Sequence, residues 1–317
     1  MGLHHAADNL GMTASLDSIC CHLPHLGVIR VQGEDAASFL HNQLTQDVVL
    51  LDPQHARLAA WCNAKGRMLA SFVLCKPQSD EVLLIVSRDV LPPTLKRLSM
   101  FVLRAKVKLT DATADFALRG LVGASLHALT EINEPWCHVA LPDGAHLLTL
   151  YPALGQPRGI WLGPADSAPA STVSDEDAPS TWSYTDVMSG VAWVSAATAE
   201  AFVPQMLNYE SVDGVNFKKG CYPGQEVVAR SQFRGTLKRR AFIVQADAPM
   251  QAGQEVFAAS DANQPCGLIA QAASVNGQHV AVAELQLSAT DSALHVGSAP
   301  GPQLRLLPLP YALRDDI

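Results

Sequence analysis

The chain carries little charge and few aromatic rings, and it has no long apolar run. Only 16% of its 317 residues are Asp, Glu, Lys or Arg, and 6% are Phe, Trp or Tyr. With 48% hydrophobic residues the remainder still supports a folded globular protein, which excludes extended disorder and fibrous classes. The longest wholly apolar stretches, such as VLLIV at 82–86, hold about five residues. A membrane-spanning helix needs roughly 20, so no membrane partner is expected. The start, MGLHHAADNLGMTAS, lacks the cationic and apolar pattern of a secretory signal and is expected to be a loose tail, residues 1–14, of a cytoplasmic protein. No Cys-x-x-Cys occurs, and the one His-x-x-His, His22 and His25, has no second ligand pair, so no bound metal is expected. Seven cysteines, an odd number in a chain of this size, fit reduced thiols better than a disulfide framework.

What is present is unevenly distributed. The net charge is −8, yet residues 57–108 hold ten Lys/Arg against Asp80, Glu81 and Asp89. Residues 216–240 hold Lys218, Lys219, Arg230, Arg234, Lys238, Arg239 and Arg240 against Glu226 alone. If the fold brings these two stretches together, they build a positive cleft for an anionic ligand within an acidic protein.

At this length two or three domains are expected. LGVIRVQG reads as a strand, and EDAASFLHNQLTQDV as a helix with acids at its start. LAAWCNAKGRMLASFVLCK reads as two strands around a turn at 63–66, with EVLLIVS as a third. A helix is expected over about 93–101, then a strand with one basic face in VLRAKVKLTD. FALRGLVG, WCHVALP and AHLLTLYP are further strands, and residues 164–181, rich in Pro, Ser and acid, read as a mobile loop. SYTDVMSG and TAEAFVPQML supply short helices, the second bent or ended by Pro204. After residue 241, short runs spaced by Gly, Pro and Asn suggest a small antiparallel barrel or sandwich.

The stretch NFKKGCYPGQEVVARSQFRGTLKRR is the most unusual. Gly220 and Gly224 allow tight turning and close approach of backbone to a ligand. Cys221, beside Lys218 and Lys219, is either an activated thiol or a buried inert one; Cys62 has a similar but weaker setting. Glu226, the lone acid, either pairs with Arg230 one helical turn on or accepts paired N–H donors from a ring such as a pterin. Tyr222 either stacks on a planar ring or belongs to the core.

KGCYPGQE, followed by VVAR, RG and KRR, resembles the signature of the folate-binding YgfZ family, which is similar to the T-protein, the tetrahydrofolate-using aminomethyltransferase of glycine cleavage. The resemblance extends through VQGEDAASFLHNQLTQDV, WCNAKGRM and FVPQMLNYE. It implies an α+β, multidomain T-protein-like fold around a central folate channel, with a discontinuous N-terminal domain (15–56 plus 117–205), a ferredoxin-like domain (57–116 plus 206–240) and a C-terminal antiparallel β-barrel (241–317). It further implies that Lys219, Gly220, Tyr222, Gly224, Gln225 and Glu226 line or support the folate cleft. Glu226 then meets the pterin, Lys65, Arg67 or Arg230 meets the glutamate tail, and Cys221 is the functional thiol. The implied role is support of iron–sulfur cluster assembly or repair in client enzymes, including radical enzymes that thiolate tRNA, with those clients or assembly proteins as partners.

One departure bears on the chemistry. Aminomethyl-transferring T-proteins place an essential acid after the strand corresponding to EVLLIVS, where this sequence reads SRDVLPPTLKR with Asp89 alone, beside Pro92 and Pro93. A one-carbon transferase or demethylase is therefore the first rival, and turnover of that kind is not expected. A nucleic-acid-binding protein is the second; with few aromatics among the basic residues, nucleic acid is not expected as a direct partner.

Overall fold

The computed structural model describes residues 17–233 and 237–314, so the expected tail at 1–14 and Arg234 lie outside the described residues. The first sheet is antiparallel and formed by β2 (Leu26–Gln32), β3 (Ala56–Cys62), β4 (Met68–Gln78), β5 (Glu81–Ser87) and β6 (Lys108–Asp111), in the order β3-β4-β5-β2-β6. Helices α1 (Ala36–His41) and α2 (Leu91–Ser99) pack on one face of it. The central strand β5 is apolar at every interior position because both faces are covered. Val82, Leu84 and Val86 join the core under the two helices, while Leu83 and Ile85 point into the core shared with the rest of the molecule.

The second sheet has the order β1-β7-β10-β9-β8, from β1 (Ser18–His22), β7 (Ala117–Gly123), β8 (His138–Ala140), β9 (His146–Ala153) and β10 (Gln156–Gly163), with the one-turn helix α3 (Ala124–His127) after β7. Helix α4 (Ala178–Met188) crosses it, and the close approach is possible because Gly120 has no side chain: an added Cβ would collide with the Trp182 indole. Helix α5 (Gln225–Phe233) leads to a closed six-stranded barrel, β11 (Arg239–Ala246), β12 (Glu255–Ala258), β13 (Asp261–Val275), β14 (Gln278–Gln286), β15 (Leu294–Val296) and β16 (Gln303–Leu307), in the order β11-β14-β13-β12-β15-β16. Closure removes exposed sheet edges. One hydrophobic core unites Leu58 and Ile85 of the first sheet, Leu148 and Ile160 of the second, Trp182 of α4 and Ile243 and Val282 of the barrel. The three units therefore meet at a common centre. Among the described residues no helix is long and apolar enough to cross a membrane.

Several elements differ from expectation. Strand β2, grouped with residues 15–56 of an N-terminal domain, pairs with β5 and β6 of the first sheet, whereas residues 206–224 form 3-10 helix and turns but no strand. Helix α1 stops at His41 because the following residues are drawn onto β3: Leu44 bridges Trp61, and the Thr45 hydroxyl accepts the Ala60 N–H at 2.8 Å and donates to Gly214 O at 2.8 Å. The basic-faced strand shrinks to Lys108–Asp111. The segment expected as a mobile loop is tied to the β1 edge, where Cys20 N–H donates to Thr172 Oγ1 at 2.9 Å and Thr172 N–H to Cys20 O at 2.8 Å; its last residues open α4. TAEAFVPQML forms turns and a 3-10 helix, Pro204–Leu207, because proline begins that turn rather than ending an α-helix.

Candidate functional site

The KGCYPGQE loop is held at both ends. Asn216 Oδ1 accepts the N–H groups of Lys218 at 2.9 Å and Lys219 at 3.1 Å, turning the chain. Lys219 then reaches inward, donating from Nζ to the carbonyls of Leu44, at 2.7 Å, and His41. These oxygens lie at and just beyond the C-terminal end of α1, where helix carbonyls lack partners and a cation is favoured. The same Nζ lies 4.8 Å from the Tyr222 ring centroid. Burial pushes the Lys219 ammonium down to about 8, with Asp47 and Cys221 opposing that shift. Tyr222 is buried, and burial raises its hydroxyl above the ordinary tyrosine range.

At the other end Gly224 has φ +79°, and an added Cβ would lie 2.7 Å from Gly66 Cα and collide with Asn63 O. This contact seats the loop on the β3–β4 turn and brings the two basic stretches together. The positive field is weaker than the count of basic residues implies, because three of the arginines in 216–240 are paired with acids and Arg67 is turned onto a backbone carbonyl. Arg239 pairs with Glu284, Arg240 with the buried Glu210, Arg230 with Glu226 at 2.7 Å, and Arg67 donates to Ala201 O. Lys65, expected at a folate tail, is exposed on that turn. Glu226 is 84% exposed on α5, so its geometry is that of a surface ion pair. Gln225 is half-buried at the start of α5, its N–H donating to Tyr222 O at 3.2 Å. Among the seven cysteines, all of them free, Cys221 is the exposed one. Cys62 is buried in β3, and burial pushes its thiol up to about 12, which leaves it inert.

The structure also assembles a site that the sequence does not announce. At the meeting point of the three units lies a cavity of about 320 Å³, bordered by His25, Ser87, Asp186, Trp193, Met250 and Gln271. A narrow pocket of about 10 Å³ between Trp136, Tyr151, Arg158 and Tyr209 also borders Asp186. Neither cavity is lined by a residue of the KGCYPGQE loop. Asp186, 2% exposed, pairs through Oδ1 with Arg158, while its buried Oδ2 has no hydrogen-bond partner among the described residues. Arg158 is itself held by Thr185 Oγ1 at 3.0 Å, by Tyr151 O at 3.3 Å and by the Trp182 ring 4.5 Å from its Cζ. Both ring nitrogens of His25 are likewise buried without a hydrogen-bond partner among the described residues. Burial lowers the His25 pKa, with Asp186 pulling the other way and His22 adding to the depression. An orphaned carboxylate oxygen beside a cavity is an acceptor waiting for a donor. The only advance signal was a lone charge inside an otherwise uncharged helical stretch, TWSYTDVM.

Residues 17–135 match the family model described as the GCVT N-terminal domain. The chain is 32% identical over 259 residues to an uncharacterized protein of Haemophilus influenzae, covering 79% of this chain and 82% of that one. It is 30% identical over 302 residues to the tRNA-modifying protein YgfZ of Sodalis glossinidius, covering 90% of each. The solved structure of glycine cleavage system aminomethyltransferase T from Bartonella henselae matches with a TM-score of 0.68 at 14% identity, over 93% of this chain and 86% of that chain, which establishes the T-protein-like fold. With the KGCYPGQE loop in place on that fold and the identity spread over nine-tenths of both chains, this protein belongs to the YgfZ family.

Proposed function

We propose that this protein is a cytoplasmic folate-binding accessory factor that supports iron–sulfur cluster assembly or repair in client enzymes, including radical enzymes that modify tRNA. The observation that carries the folate part is the cavity bordered by Asp186, whose buried Oδ2 has no partner among the described residues. Its volume is in the range of small-ligand sites. A pterin presents paired N–H donors, and a buried carboxylate answers them with charge-assisted hydrogen bonds. Asp186 would hold the ring, and the Trp193 indole and Met250 thioether would cover it. Tetrahydrofolate, when bound, supplies a one-carbon carrier. The pterin role expected of Glu226 moves to Asp186, because Glu226 stands in solvent beside Arg230.

The transferase reading lacks its acid. Asp89 Oδ1 accepts from Ser87 Oγ at 2.9 Å within the turn before α2, and Oδ2 accepts from Ala196 N–H at 2.9 Å, so both oxygens are engaged in holding this turn and the distant 196 segment together. Pro92 and Pro93 occupy the first turn of that helix. Asp89 is thus committed to these hydrogen bonds, which counts against its moving a proton in a transfer step.

The test is anaerobic titration calorimetry with tetrahydrofolate. Asp186→Asn should weaken binding at least about tenfold, as expected for loss of a charged acceptor. Glu226→Ala should change it less than about twofold. Absence of binding by the wild-type protein would reject the folate assignment, and equal affinity of wild type and Asp186→Asn would reject the cavity as its place. Cys221→Ala should retain folate binding while failing to restore tRNA thiolation in a deletion strain; full restoration would remove the thiol from the function.

A further inference from the structure

We infer that His41, oriented by Asp47, is the proton acceptor for the Cys221 thiol, so that the three residues work as a Cys–His–Asp unit built across the end of α1. The inference deepens the proposed role of Cys221 and rests on that thiol being the working group.

Four observations carry it. His41 Nδ1 lies 3.1 Å from Asp47 Oδ1, and the same oxygen accepts the Leu50 N–H at 2.9 Å, so the carboxylate is fixed by backbone and fixes the ring. With Nδ1–H donating to a carboxylate, the lone pair of the neutral imidazole sits on Nε2. Nε2 faces the KGCYPGQE loop: a Cβ placed on Gly220 would lie 3.4 Å from it and, its two chain neighbours aside, within 4 Å of no other described atom. Among the described residues no hydrogen bond occupies Nε2. Cys221 is the next residue, about 3.8 Å along the backbone, and it is exposed. Because residue 220 is glycine, it puts no side chain of its own beside Nε2.

The loop is not free to drift from this position. The hydrogen bonds of Lys219 Nζ to the carbonyls of His41 and Leu44 fasten the residue two before the thiol to the same helix end that carries the imidazole. The charged groups around the pair are Asp47 on the segment after α1, with Lys218 and Lys219 on the loop itself. The step is a proton transfer: the S–H bond breaks, its electron pair stays on sulfur, and the proton bonds to Nε2. The imidazolium so formed is paired with Asp47, and the thiolate is the nucleophile or metal ligand. The chemical class this suits is a soft electrophile or a thiophilic metal centre presented by a client.

The alternative is that His41 and Asp47 serve only the C-terminal turn of α1. Alkylation of the full-length protein by iodoacetamide, followed at Cys221 by peptide mass, separates the two and involves neither folate nor client. At about pH 7, His41→Ala should slow modification of Cys221 by about tenfold, and Asp47→Asn by a smaller factor. Added imidazole should restore much of the rate in His41→Ala while leaving wild type unchanged, an effect that repair of helix packing alone would not produce. His41→Gln, which retains a polar side chain, should be as slow as His41→Ala, and melting curves of all variants report whether the fold persists. A wild-type rate in His41→Ala, or a slowed rate in a folded variant that imidazole does not raise, would overturn the inference. Failure of folate to bind would leave it standing.

Discussion

Replacing Lys219 by Met tests how the KGCYPGQE loop is held, because it removes the ammonium while keeping much of the apolar stem. Two carbonyl oxygens lose their donor, one of them at 2.7 Å, and the Tyr222 ring loses its cation. Hydrogen bonds from a charged donor contribute about 1.5–3 kcal/mol each, but burying the ammonium works against them. Burial lowers the lysine from its ordinary 10.5 to about 8, so near neutral pH folding must hold a proton that the site disfavours. The net deficit of Lys219→Met at pH 7 is therefore modest, about 2 kcal/mol. The sign of its pH dependence follows from linkage. Between pH 8 and 10.5 the unfolded chain binds the lysine proton more fully than the folded one, so wild-type stability gains with rising pH from this group. By pH 9 the gain reaches roughly 1 kcal/mol, and the deficit of the variant widens to about 3 kcal/mol. Urea unfolding of Lys219→Met against its parent, both in a Cys221→Ser background to remove the neighbouring thiol, measures the difference at the two pH values. A deficit that shrinks or stays level between pH 7 and 9 would refute the reasoning.

Gly224→Ala should destabilise by about 3 kcal/mol or more, since its φ of +79° disfavours a side chain and the added Cβ meets Gly66 and Asn63 backbone; urea unfolding with a midpoint at the parent's value would contradict the seating of the loop on the β3–β4 turn. His146 is lowered to about 4, chiefly by burial and further by His138, with Asp143 opposing. His138 Nδ1 is committed to Pro53 O at 2.7 Å, so its Nε2 accepts from His146 Nδ1 at 3.0 Å and both rings stay neutral. Below pH 6.5 the unfolded chain takes up the His146 proton first, and stability is lost as pH falls from 6.5 towards 4. His146→Phe should flatten that slope by up to about 2 kcal/mol in acid titrations of unfolding, and an unchanged slope would show that the pair does not set acid sensitivity.

What the sequence showed plainly was what depends on neighbours along the chain. Helix α2 appeared within two residues of its expected start, because Pro92 and Pro93 suit a first turn and the apolar spacing continues behind them. The short runs after residue 241 close into a barrel for the same local reasons of alternation and turn chemistry. The site was harder, because its groups are paired across long separations. The excess of basic residues in 216–240 looked like a ligand-binding field, yet Arg240 finds Glu210 thirty residues back and Arg239 finds Glu284 forty-five residues on. Local charge counting cannot see partners at that distance, so it overstated the open positive surface. The same limit hid Asp186, whose carboxylate meets Arg158 only because α4 crosses the second sheet at Gly120. It also hid His41, whose relation to Cys221 depends on Lys219 carrying a loop 178 residues away onto the end of α1. The loop and the cavity are thus separate places in the fold. The motif marks the thiol with its seat, and the cavity is lined by residues that no single stretch of sequence brings together.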